Sequence, residues 1–191
     1  MTVAIITKGM MEELITHHLK TLSEVTKIVR YTAEDDFIPT DEYLMIASGD
    51  MKLRRKMWDK YKNYSFINVF LSSFKPEKMG KGNYVFPTVF FDKFTEIGNN
   101  NIISAGTIVS HHSKIGDSNL FGPGCLLSGH VTIGNNCTMG SGIIFQPYVE
   151  IADNTTIPSG AVIVSNLDNG VIAKRDKSIF SGKYSYSHKN K

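Results

Sequence analysis

Counted in sixes from Met79, the chain places an apolar residue at every step. These are Met79, Val85, Phe91, Ile97, Ile103, Val109, Ile115, Phe121, Leu127, Ile133, Met139, Phe145, Ile151, Ile157 and Ile163. At 41% hydrophobic content, such a run in any of six phases arises by chance on the order of once in 10⁵, so the spacing is structural. Four residues further on runs a second column, almost all small and none charged: Val89, Thr95, Asn101, Thr107, Ser113, Asn119, Cys125, Val131, Cys137 and Val149. Gly98, Gly116, Gly122, Gly134 and Gly140 directly follow the apolar residue. A period of six suits neither an α-helix nor a plain strand. It suits a short strand and a corner, repeated. Three hexads then close one coil, one hexad to a side, and five coils stack into a triangular prism. The apolar column points inward, the small column shares the narrow interior, and glycine eases the corners. Cys125 and Cys137 fall in the small column on different sides, which makes them packing residues rather than a disulfide or a reactive thiol.

The front of the chain follows another pattern. Residues 3–6, 26–31 and 43–47 read as short apolar strands, and residues 10–22 and 52–62 as amphipathic helices. Strands alternating with helices predict a parallel sheet, a Rossmann-like α/β unit. Ligands of such sheets bind at the carboxyl ends of strands, close to helix N-termini. Two loops qualify: Thr7, Lys8 and Gly9 after the first strand, and Ser48, Gly49 and Asp50 after the third. The expected division is a Rossmann-like unit over 1–76, a β-helix over 77–168 and a basic tail over 169–191.

Composition narrows the partners. A net charge of +3 is too weak a basic bias for a nucleic-acid footprint. The first residues lack the basic flank and cleavage site of a signal peptide, and no apolar run approaches the roughly 18 residues of a membrane span. A cytoplasmic protein with no membrane and no nucleic-acid partner is expected.

Three histidines stand out on the repeat. Three hexads make one coil, so His130 stacks over His112 and Gly129 over His111. A metal site is a natural thought for clustered histidines. Against it, His111 and His112 are adjacent on an expected strand, so they point to opposite faces; no metal is expected.

The hexad repeat resembles that of the hexapeptide-repeat acyltransferases, whose fold is a left-handed parallel β-helix. The stretch MIASGDMKLRRK (residues 45–56) resembles the "AIGDNxxRxK" segment of one subfamily, the NeuD/PglD-type sugar acetyltransferases. Asp35 and Asp36 resemble that family's "DD" pair near the nucleotide base, and FINVF (66–70) falls where it enters its β-helix. VSHHSKIGD (109–117) resembles its "xxH[DE]xxIGD" signature. The resemblance implies a homotrimer that uses acetyl-CoA to N-acetylate a nucleotide-linked 4-amino sugar. O-acetylation of a sugar or sialic acid is the alternative, and a zinc-binding or non-enzymatic β-helix a weaker one.

The resemblance also implies roles. His111 takes the place of the general base, suited to it by histidine's ordinary pKa near 6.5. Gly129 matches the residue whose amide faces the thioester oxygen. Ser141, Gly142, Ser159, Gly160 and Ala161 resemble the small residues along the CoA path, and Lys174 or Arg175, in GVIAKR (170–175), a contact to its phosphates. Gly9, Asp35, Asp36, Ser48, Gly49 and Asp50, with His111, face the nucleotide-sugar. Three positions depart from the family. The first loop has Gly9 as its single glycine, Ile172 replaces a proline, and His112 replaces the carboxylate that orients the base. His112 is then a second proton carrier, a substrate hydrogen-bonder or an inert neighbour.

Overall fold

The structure is a computed structural model describing residues 1–7, 11–33, 35 and 37–169. The front unit is a three-stranded parallel sheet. Its central strand is β1 (Thr2–Thr7), flanked by β2 (Lys27–Thr32) and β3 (Tyr43–Ala47). Two helices cover it, α1 (Met11–Lys20) and α2 (Met51–Tyr61). Side chains alternate across a strand, and the two cores divide accordingly. Val3 and Ile5 pack with Ile15 and Leu19 of α1. Ala4 and Ile6 pack with Met57, Trp58 and Tyr61 of α2. Asp50 caps α2, its carboxylate accepting from Lys52 N and Leu53 N at 2.9 and 3.1 Å, a cap worth about 1 kcal/mol.

From β4 (Val69–Phe70) the chain becomes a parallel β-solenoid of about five turns. β4 lies within the stretch expected to belong to the front unit, yet it pairs with Tyr84–Val85 and forms the first rung of one face. Two-residue rungs then recur every six residues from Lys78–Met79 to Val162–Ile163. Each pairs in parallel with the rung one coil further along the chain, as in Ile108↔Leu126, Lys114↔Thr132 and Leu120↔Thr138. The apolar column is interior, with Val85, Ile103, Val109, Phe121, Leu127 and Phe145 all 0% exposed. The small column shares that interior. On one side of the prism its amides bond up the column: Asn101 N donates to Asn83 Oδ1, Asn119 N to Asn101 Oδ1 and Cys137 N to Asn119 Oδ1, at 2.7–2.8 Å. Both cysteines are buried and free, and burial pushes both thiols up.

The corners are left-handed in backbone conformation, in three columns one coil apart. Gly82, Asn100, Ser118, Asn136 and Asn154 form one. Thr88, Gly106, Gly124, Gly142 and Gly160 form the second, and Phe94, His112, His130 and Tyr148 the third. The outward faces differ as much. One carries Lys78, Glu96, Lys114, Thr132 and Glu150. The next carries Tyr84, Ile102 and Leu120 under α1. The last carries Phe90, Ile108, Leu126, Ile144 and Val162.

Arg54 joins the two parts. It is 0% exposed and donates to the carbonyls of Ile46 in β3, Gly82 at 3.0 Å and Asn100 at 3.3 Å. Burial lowers its guanidinium to about 9, so it remains charged at neutral pH. No helix among the described residues is long and apolar enough to cross a membrane.

Candidate active site

The histidine corner follows the rung Ile108–Val109. His111 and His112 occupy the turn, not a strand, and His112 has φ +59°. The expectation that neighbouring histidines point to opposite faces is therefore corrected, because strand alternation does not extend through a left-handed corner. The two rings meet instead, His111 Nδ1 lying 3.1 Å from His112 Nδ1. His112 stacks on His130 at 4.7 Å between centroids and 11° between planes, as the offset of one coil requires. Phe94 below and Tyr148 above extend the ladder, both at 4.7 Å. All four residues have φ between +59° and +64°. Left-handed non-glycine residues cost roughly 1–3 kcal/mol each, and ring stacking returns about 0.5–1.5 kcal/mol per pair.

The His111 ring lies over Gly129. A Cβ on Gly129 would come within 2.5 Å of His111 Cε1 and 2.8 Å of Nε2. Glycine is needed here for close approach, since this residue is not among those with positive φ. Among the described residues the Gly129 N–H donates to no protein acceptor, while its carbonyl accepts from Tyr148 N. His111 thus has Nδ1 engaged by His112, and the Cε1 edge of its ring faces Gly129. The His111 side chain as a whole is exposed.

The glycine corner and the histidine corner bracket the same outward face, that of Ile108, Leu126 and Ile144. Ser141, Gly142, Ser159 and Gly160 are exposed along the glycine corner. Ser141 N donates to Ser159 Oγ at 3.0 Å. A Cβ on Gly124, Gly142 or Gly160 would meet nothing within 4 Å. Phenylalanine, histidine, asparagine and serine hold the same φ at the other corners. Backbone conformation alone therefore does not demand these glycines; they leave the surface bare. Ala161 differs, being half-buried and packed on the interior cluster.

The register of the front sheet brings the ends of its strands to one edge, Thr7 pairing with Thr32 and with Ala47. Asp35 and the Ser48–Asp50 loop follow those ends, and their polar groups are largely used within the chain. Asp35 accepts from Thr32 N at 2.6 Å, Ser48 is buried and accepts from Asp50 N, and Asp50 is the helix cap. Gly49 is exposed, beside Met11. Gly9, Asp36 and Lys174 lie outside the described residues, as do Ile172 and Arg175.

A separate groove of about 550 Å³ lies between α2 and the column of Asn99, Asp117, Asn135 and Asp153, and no expected site residue lines it. Those groups bond to one another up the corner, as in Asn99 N to Asp117 Oδ1 at 2.7 Å, and tie successive coils together.

No family model and no curated protein sequence matches the chain. Solved structures do. Perosamine N-acetyltransferase from Caulobacter crescentus, solved with CoA and GDP-perosamine, superposes with a TM-score of 0.76 at 25% identity, over 90% of this chain and 92% of that one. The acetyltransferase domain of PglB from Neisseria gonorrhoeae gives 0.76 at 19% identity, over 88% and 94%. WeeI from Acinetobacter baumannii gives 0.70 at 18%, over 90% and 94%. The chain has the fold of the left-handed β-helix sugar acetyltransferases. Within that fold, two features of the site lay outside the sequence reading. Phe94 and Tyr148 complete the ring ladder, and continuing the one-coil offset beyond His112 and His130 finds both. The apolar outward column from Phe90 to Val162 shows the same offset, one residue before the interior column.

Proposed function

We propose that this protein transfers an acetyl group from acetyl-CoA to the amine of a nucleotide-linked amino sugar, with His111 as general base. The observation that carries the reading is the His111 corner, set in a fold shared over nine-tenths of the chain with an enzyme that binds CoA and GDP-perosamine. Complexes of that enzyme with both ligands form with a histidine replaced by asparagine or by alanine.

His111 works through its two nitrogens. With its proton on Nδ1, donated to His112 Nδ1, the Nε2 lone pair is free. Nε2 takes the proton of the acceptor amine as nitrogen attacks the thioester carbonyl. The C–S bond then breaks, and His111 returns that proton to the departing thiolate. The Gly129 N–H, which donates to no acceptor among the described residues, is the donor for the developing oxyanion. His112 does the orienting work of the missing carboxylate, which requires it to be neutral and protonated on Nε2. Ser141, Gly142, Ser159 and Gly160 hold CoA against the bare corner, and the front sheet receives the nucleotide at the edge carrying Asp35, Gly49 and Asp50. The apolar face between the two corners supports a homotrimer, because closed three-fold packing covers such a strip.

The test is turnover of acetyl-CoA against GDP-, dTDP- and UDP-linked 4-amino sugars, with sialic acid as the hydroxyl arm. Amine-dependent release of CoA is expected. Release only with the hydroxyl acceptor, or with none, overturns the proposal. His111→Ala should lower kcat roughly 10²–10⁴-fold with little change in KM or in folding. His112→Ala should cost less, since it removes the partner and not the base. A His111→Ala variant retaining a tenth of wild-type kcat would remove His111 from the role.

A further inference from the structure

We propose that His111, His112 and His130 form a binding site for one divalent transition-metal cation of the imidazole-preferring class, with zinc as the foremost candidate, and that its occupation switches acetyl transfer off. One ligand nitrogen from each ring lies within 4.8 Å of the other two. Two of them already stand as a metal needs them. With Zn–N bonds of about 2.0–2.1 Å, tetrahedral geometry separates ligand nitrogens by about 3.3 Å, and His111 Nδ1 is 3.1 Å from His112 Nδ1. His111 and His112 are exposed, so closing the remaining gap to His130 takes side-chain rotation and no change of backbone. The three residues sit on two successive coils at one corner of the solenoid, His111 and His112 on one and His130 on the next.

The donor set defines the ligand. Three neutral imidazoles without a carboxylate suit zinc, copper, nickel or cobalt, and are poor ligands for magnesium or calcium. Three protein ligands leave a fourth position to water. His112 and His130 hold a positive φ, of +59° and +61°, as Phe94 and Tyr148 do on the same corner.

The switch follows from the tautomer and rests on the reading of His111 as base. A metal on His111 Nδ1 takes that lone pair, and the ring's single proton then resides on Nε2. Nε2 can no longer accept a proton, and His112 no longer orients the ring. The cation is an inhibitor here, not a cofactor.

The experiment titrates the full-length, metal-stripped protein with zinc chloride by calorimetry and with cobalt(II) by visible absorption. One metal per chain is expected, with the d–d bands of tetrahedral cobalt. His112→Gln and His130→Gln should each weaken binding at least about tenfold, since even outer partners of metal ligands are worth that. Zinc should abolish wild-type turnover, EDTA should restore it, and the same zinc concentration should inhibit His130→Gln far less relative to that variant's own zinc-free rate. No stoichiometric binding, or no tetrahedral cobalt spectrum, overturns the site without recourse to any variant. Stoichiometric binding that leaves turnover unchanged overturns the switch. Zinc-free turnover alone decides the acetyltransferase reading, so the two failures are distinguishable.

Discussion

Gly129 separates two demands that the site makes of one residue. Among the described residues its amide donates to no protein acceptor, and its missing side chain gives the His111 ring a place to lie. Gly129→Ala keeps the first and removes the second. The backbone accepts alanine, but the new Cβ meets His111 Cε1 at 2.5 Å, and the exposed ring is what yields. A displacement of about an ångström at a catalytic group costs up to roughly 100-fold. Gly129→Ala is therefore expected to lower kcat by about 10–100-fold, with an unchanged melting temperature. Steady-state kinetics and thermal denaturation check this; wild-type kcat in that variant would show that the ring's seat over Gly129 is not the productive one. His111 and Gly129 were both legible in the sequence because they stand exactly one coil apart, which stacks one on the other. The engagement of His111 by His112 was not, since it depends on the sign of φ at a corner, and periodicity is blind to that.

At the scale of elements, α1 docks on the first complete coil through His18, whose Nδ1 lies 2.6 Å from Tyr84 Oη. Burial raises the Tyr84 hydroxyl well above the usual tyrosine range, so it stays protonated and donates. His18 is lowered, by burial first and by neighbouring His17 second, so it accepts as a neutral ring. The unfolded chain then binds the proton more readily than the folded one. This contribution to stability is present above the ordinary histidine value near 6.5 and is lost as pH falls through the lowered folded value. The melting temperature should fall as pH drops below about 6.5, and His18→Gln should flatten that fall. An identical pH dependence in the variant would exclude His18 as a contributor. The elements themselves were readable: Tyr43–Ala47 is a strand as expected, and α2 begins one residue before its expected start. What joins them was not. Arg54 stands inside a recognisable motif, yet its role as a staple between β3 and two coils depends on carbonyls far along the chain, those of Gly82 and Asn100.

For the whole molecule, the outward column Phe90, Ile108, Leu126, Ile144 and Val162 is the feature that asks for a partner. Ile108 is 41% and Ile144 37% exposed, on a face whose counterpart carries Lys78, Glu96 and Lys114. An apolar strip of this kind on a solvated protein marks an interface. Light scattering is expected to give three times the chain mass, and Ile144→Glu is expected to give the monomer with its far-UV spectrum intact, because a charge is then buried unpaired between subunits. A wild-type monomer with full activity, or an Ile144→Glu trimer, would remove this face from the assembly.

In a β-helix, residues one coil apart in the chain are neighbours in space. The sequence by itself therefore determined the interior columns, the stacking of His130 on His112 and the seat of both cysteines. Its reach ended where that translation ends. The tertiary structure decided that β4 belongs to the solenoid, because the step from Val69 to its partner Tyr84 is shorter than the full coil from Tyr84 to Ile102, and the hexad count does not find it. It also decided that the front sheet's edge spends Ser48 and Asp50 on its own turn and helix cap, because backbone N–H groups there need acceptors. And it turned His111 and His112 to one side, because a left-handed corner ends the alternation that a strand would impose.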